Sequence, residues 1–232
     1  MSEAEFDRFA GEYRQLHAEN IRVSGERPEF FAEYKVRDVA RLARASGFAN
    51  APAILDFGAG VGNSVGFFRQ YLPGCRLTCL DASRKSLDVA SERFPDAAEF
   101  VAYDGGEIPL PPEQFDVVFA ACVFHHIPTA EHEPVLQQLY RVTRRSGLLV
   151  IFEHNPYNPL TVRAVNTCVF DENAVLIPAG TLVRRVRRAG FSSAKPCYRI
   201  FFPGMLRVLR GLERGLGWLP LGAQYYVSAR RA

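Results

Sequence analysis

No stretch of this chain is apolar for long enough to cross a bilayer, which takes about 20 consecutive residues. The first residues, Met1-Ser2-Glu3-Ala4-Glu5, are acidic and lack the basic-then-apolar order of a secretory signal. Cys75, Cys79, Cys122, Cys168 and Cys197 form an odd, scattered set without a C-x-x-C pair. That set speaks against a disulfide framework and a zinc site, so free thiols in a reducing cytoplasm are expected, and no metal. The net charge of +3 is too small to call for a nucleic-acid partner. Repeats and low-complexity linkers are also missing, and 232 residues with 48% hydrophobic content suit one globular domain.

One further absence is informative. In Ile54-Leu55-Asp56-Phe57-Gly58-Ala59-Gly60-Val61-Gly62-Asn63-Ser64, glycine occupies every second position after an apolar run and a carboxylate. A pyrophosphate-binding turn would place glycine at position 63, where this chain has asparagine. The pattern predicts a buried strand ending at Asp56, a sharp turn, and a helix opening near Asn63-Ser64. Glycine lets the backbone take positive φ and approach a ligand, and a helix start favours an anionic group. Taken alone, this stretch also admits the lesser reading of a tight strand–helix turn without a ligand.

Two more apolar runs end in acids. Cys75–Asp81 reads as a second strand, with Asp81 roughly twenty residues past the turn, where an acid commonly accepts from ribose hydroxyls. Ser83 is placed to cap the following helix. Glu99–Asp104 reads as a third strand, and Asp104-Gly105 taken alone would be a simple turn. Asp116–Phe119 starts a buried fourth strand, followed by small residues and then Phe124-His125-His126-Ile127-Pro128. A helix is predicted from about Glu131 to Val142, a turn over Arg144–Gly147, and an all-apolar fifth strand over Leu148–Glu153. The polar loop Glu153–Pro159 follows as a candidate pocket wall.

The alternating Gly58-x-Gly60-x-Gly62 preceded by Asp56, the acids Asp81 and Asp104, and Phe124–Pro128 together resemble the class I S-adenosylmethionine (SAM) methyltransferases. The last segment is similar to their L-H-H-[LI] stretch. The likeness covers about residues 50–155 and is loose elsewhere, and Arg144–Gly147 departs from the family's Pro-Gly-Gly turn. It implies an α/β fold: a doubly wound, mostly parallel seven-stranded sheet, Rossmann-like, with a helical cap over 1–50, a cofactor-binding core over 51–155, and substrate-side elements and terminal strands over 156–232. It also implies SAM as cofactor. Contacts are expected from Tyr13, Tyr34, Lys35, Asp56, Gly58, Gly60, Asn63, Asp81, Ala82, Asp104, Gly105, Ala120 and His125. Asp104 would accept from the adenine amino group.

SAM carries an activated methyl group, so a base is needed only when the acceptor must lose a proton. His125 and His154 are the catalytic candidates, because imidazole titrates near neutrality; each reads equally as a structural histidine. The expected partner is a small-molecule acceptor, methylated at O or N, of a bacterial natural-product or glycan pathway, with no nucleic acid. Two other readings stay open: a SAM-fold protein without methyl transfer, and a nicotinamide-dependent oxidoreductase. Near the end of the chain, strands are expected at Tyr198–Phe202 and Gln224–Ala229. Between them, Met205, Leu209, Leu212 and Leu216 share one helical face beside Arg207, Arg210 and Arg214. Such a helix either packs on its own domain, which is the expectation here, or lies on a membrane surface.

Overall fold

Pro28 at the first helical turn, Glu29 beside it and Arg44 in the last turn suit the ends of a helix, and α1 runs Pro28–Ala45. The computed structural model describes residues 25–168, 171 and 173–232. Tyr13 and the first 24 residues of the expected helical cap lie outside them. Val36, Val39, Ala40 and Ala43 recur at helical spacing and are all buried.

From there strands and helices alternate: β1 Ala53–Phe57, α2 Val65–Tyr71, β2 Arg76–Asp81, α3 Arg84–Arg93, β3 Glu99–Ala102, β4 Phe115–Ala121, α4 His132–Val142 and β5 Thr143–His154. Then come α5 Pro159–Asn166, α6 Ala179–Arg188, β6 Phe191–Arg199 and β7 Gln224–Arg231. The seven strands form one sheet in the order β3-β2-β1-β4-β5-β7-β6. The pairs β3/β2, β2/β1, β1/β4 and β4/β5 are parallel, whereas β7 runs antiparallel to both β5 and β6. The expected seven-stranded, mostly parallel sheet is therefore present.

Alternation along the strands sorts side chains to the two faces. Leu55, Val118, Leu149 and Ile151 pack with Leu136 and Leu139 of α4 and Leu182 and Val186 of α6. Ile54, Val117, Val150 and Phe152 pack with Val36 and Val39 of α1 and Phe68 of α2. Both faces are covered, which is why the central strands read as continuous apolar runs. Strand order reverses between β1 and β4, so a crevice opens at their carboxyl ends.

Three local expectations change. Arg144–Gly147 is a bulge within β5 rather than a free turn. Phe115 pairs with Thr143 and Val117 with Leu148, so four residues stand opposite Asp116 alone. Arg144 Nη1 donates to Asp116 Oδ1 at 2.8 Å and holds the bulge. β6 covers Phe191–Arg199, earlier than the Tyr198–Phe202 expectation. It is the sheet edge, so Pro196 removes no needed ladder bond, and Ile200 takes φ +60° and ends the strand. The segment expected as an α-helix is a 3-10 run over Gly204–Gly215, interrupted by non-helical backbone at Leu206.

Candidate functional site

The glycine turn after β1 is pinned from its neighbour strand. Gly58 N–H donates to Leu80 O at 2.8 Å, and Gly60 N–H to Asp81 Oδ2 at 2.7 Å. Ser83 N–H donates to the other Asp81 oxygen at 2.8 Å, while the Ser83 hydroxyl accepts from Ser86 N–H at 3.1 Å and caps α3 as expected. Gly58 has φ +75°, and a Cβ there would stand 2.3 Å from Val123 Cγ2. At Gly60, φ +52°, a Cβ would meet nothing within 4 Å. The first glycine is thus required by packing, and the second faces open space.

That space is a cavity of about 350 Å³ at the sheet's reversal point, within the range of small-molecule sites. Its walls bring together Lys35, Asp56, Gly58, Gly60, Asn63, Asp81, His125 and His154 of the expected residues. The first turns of α1 supply Phe31 and Lys35, so α1 reaches the cavity. Tyr34 and Ala120 do not reach it. Tyr34 is buried behind the wall, its hydroxyl donating to Gln224 Oε1, and Ala120 lies in the core against the other face of the sheet. The small wall residues after β4 are Ala121 and Cys122 instead, because alternation turns Ala120 away. Ala82, Asp104 and Gly105 are likewise outside the lining; Asp104 is exposed past the end of β3 and accepts from Gly106 N–H at 2.9 Å.

Charge is arranged in three groups. Asp56 is buried and accepts from the Ser64 hydroxyl; burial raises its pKa to about 7. Cys122 has φ +60° and receives the Lys35 ammonium at 3.1 Å. Burial pushes that thiol up, but the charges of Lys35 and His154 outweigh it and bring the pKa down to about 6. His154 also sits 3.3 Å, Nδ1 to Nε2, from Gln224.

The third group is centred on His125. Its Nδ1 is 2.5 Å from Glu153 Oε2, and Glu153 Oε1 accepts from Phe124 N–H at 2.8 Å. Asp171 Oδ1 is 3.5 Å from His125 Nε2 and 3.4 Å from His126 Nε2. Burial works against a charged His125, but the Glu153 and Asp171 carboxylates more than offset it, and its pKa is raised. The same pairing lowers Asp171 to about 2 against its own burial. Burial and the neighbouring His125 charge lower His126 to about 4. The His125, His126 and Asp171 ligand atoms lie within 4.8 Å of one another. A metal cation there would have to displace the proton on His125 Nε2, the nitrogen that faces Asp171.

Cys122, Asp171 and Gln224 escaped sequence reasoning: Cys122 precedes the His125-His126 stretch without being part of it, and the other two come from loop and strand ends. The polar loop after β5 reaches the cavity wall as expected, through His154 and Asn158, and its amides have a second use. Asn155 Nδ2 donates to Pro220 O at 3.1 Å and Gly222 O at 2.7 Å, and Asn158 Nδ2 donates to Leu221 O at 2.9 Å. These amides clamp the loop before β7. The wall beyond them is apolar, with Phe31, Leu160, Val165, Ile200, Phe201 and Pro203.

Residues 55–151 match a family model described as a methyltransferase domain. The chain is 32% identical to a demethylmenaquinone methyltransferase of Thermotoga maritima, over 47% of this chain and 46% of that protein. It is also 32% identical to a human thiol S-methyltransferase, over 60% of this chain and 54% of the other. The matched stretch thus spans about half the length of these curated relatives. A crystal structure of a SAM-dependent methyltransferase from Thermotoga maritima superposes with a TM-score of 0.67 at 17% identity, covering 98% of each chain.

Proposed function

We propose that this chain, which has the class I SAM-dependent methyltransferase fold, binds SAM in the crevice beside β1 and transfers its methyl group to an oxygen or nitrogen of a small molecule. The carrying observation is the turn of Gly58–Gly62 clasped by Asp81 at the cavity rim. The residues fit the cofactor: the Gly60 backbone is open to a ligand, and Asp56 and Asp81 line the wall of a compound bearing two cationic groups. On this reading Asp81 meets the ribose, Asp104 and Gly105, beyond the present lining, meet the adenine from the loop after β3, and Asn63 meets the cofactor near the start of α2. Residues 1–232 act as one domain, with α1 as part of its cap.

The bound cofactor supplies a methyl group already activated by sulfonium. The chain has to hold the acceptor in line, keep water out and remove a proton where the acceptor carries one. His154, on the cavity wall between Gln224 and Cys122, accepts the proton in its neutral form, and the charge it then carries faces the Cys122 thiol. His125, clasped by two carboxylates, holds charge and positions the loop after β4. The apolar wall suits an acceptor with an apolar body, such as a natural-product or glycan-pathway intermediate carried on one.

Titration calorimetry of the protein with SAM, and separately with NADH, tests the reading. SAM should bind and NADH should not, and Asp81→Ala should weaken SAM at least about tenfold, as loss of a charged hydrogen bond does. Binding should also release protons near pH 7, because a cation beside Asp56 drives off its proton. NADH binding in place of SAM would sink the assignment. SAM binding without S-adenosylhomocysteine release from any acceptor would leave a binding protein only.

A further inference from the structure

The 3-10 winding decides what the segment after β6 presents. With three residues per turn, positions three apart fall in one row. Arg210 and Glu213, one turn apart in one row, face inward: Arg210 pairs with Glu26 at 2.5 Å, and Glu213 is buried, accepting from Phe201 and Phe202 N–H at 3.0 and 3.1 Å. The other two rows carry Val208, Leu209 and Leu212, and all three are exposed. Met205 is 93% exposed, Val208 85% and Trp218 76%, with Leu206 and Leu221 also outside. The segment is therefore anchored to its own domain through Arg210 and Glu213, and its apolar side chains do not pack there as expected.

This face is continuous with the cavity mouth. Ile200, Phe201 and Pro203 line the cavity immediately before Met205, and Leu160 both lines it and is exposed. Its charge has one sign. Arg207 and Arg214 are exposed and have no carboxylate partner among the described residues, and the single acid of the segment, Glu213, is turned inward.

We propose that this face docks on the surface of an anionic lipid membrane. Exposed Leu, Val, Met and Trp side chains flanked by arginines have the composition of an interfacial segment: the apolar groups enter the acyl boundary and the arginines meet lipid phosphates. Docking would set the cavity mouth against the bilayer. That the acceptor enters from the bilayer rests on the methyl-transfer reading; the docking itself does not.

Trp218 is the chain's only tryptophan, so its fluorescence reports on this face directly. Full-length protein is mixed with vesicles of an equal mixture of phosphatidylglycerol and phosphatidylcholine, or of phosphatidylcholine alone, with sedimentation as a second readout. The expected result is a blue shift and co-sedimentation with the anionic vesicles, weakened by salt. Val208→Asp with Leu212→Asp should lower the bound fraction at least about tenfold. Arg207→Gln and Arg214→Gln should each lower it about fivefold. Circular dichroism checks that the variants fold, which their exposure favours. Absence of any shift with anionic vesicles at low salt overturns the proposal, as does undiminished binding by folded variants. A lipid-free dimer with Trp218 emission already blue overturns it too, since a second copy would then cover the face.

Discussion

Cys122 ends β4 with φ +60°, 3.1 Å from the Lys35 ammonium that arrives from α1. A thiol in that setting is a thiolate at neutral pH, although nothing around position 122 in the chain announces it. Iodoacetamide labelling of the Cys122 peptide, followed by mass spectrometry across pH, should rise half-maximally at about 6. In Lys35→Met the midpoint should move upward toward an ordinary thiol, roughly 8.5, because the counter-charge is gone and burial remains. An unmoved midpoint would show that Lys35 does not hold the thiolate. His125 carries the same lesson. Its neighbour in the chain is His126, yet the Glu153 and Asp171 carboxylates raise His125 while burial and the His125 charge lower His126.

At the scale of an element, the turn after β1 separates two uses of glycine. Gly58→Ala forces a methyl group into Val123 and keeps an unfavourable φ, so it should cost about 2–4 kcal/mol of stability in denaturant unfolding. Gly58→Ala with Val123→Ala should recover part of that loss. Gly60→Ala meets open space and should cost only about 1 kcal/mol, while weakening SAM binding more than it weakens the fold. Equal losses of stability at the two positions would contradict the packing described here. The spacing of this turn was legible in the chain, since alternation of glycine after an apolar run is a local signal. The bulge in β5 was not, because Arg144–Gly147 reads as a turn until Asp116 of the neighbouring strand supplies its partner.

Across the whole molecule, the buried charges set how stability responds to pH. Asp56 has a folded pKa of about 7, above the unfolded carboxylate value of roughly 3.9, so the folded state binds its proton more tightly. That stabilisation is fully present below the unfolded value and is lost as pH rises through 7. His125 works in the same direction at higher pH, because its folded value is also raised. Asp171 works in the opposite direction: its contribution is present above the unfolded carboxylate value and is lost as pH falls toward 2. His126 and Cys122, whose values are lowered, work against that decline equally in the protein and in Asp56→Asn, so the test is the difference: in thermal melts the protein should lose stability relative to Asp56→Asn as pH rises from 5 to 7. Identical slopes for the two proteins would show that Asp56 titrates normally.

Local physics was enough to place the strands of the core, the acids at their ends and the glycine turn, because each depends on period, composition and the needs of one backbone segment. The seven-stranded sheet and a helix approaching the cavity, which the family resemblance implied, are also present. What only the tertiary structure decided are the meetings of distant groups: Lys35 with Cys122, His125 with both Glu153 and Asp171, and Asn155 with the loop before β7. The side on which Met205–Leu212 faces belongs to the same class. Such contacts depend on strand order and on which side chains alternation turns inward, and no window of neighbouring residues contains that information.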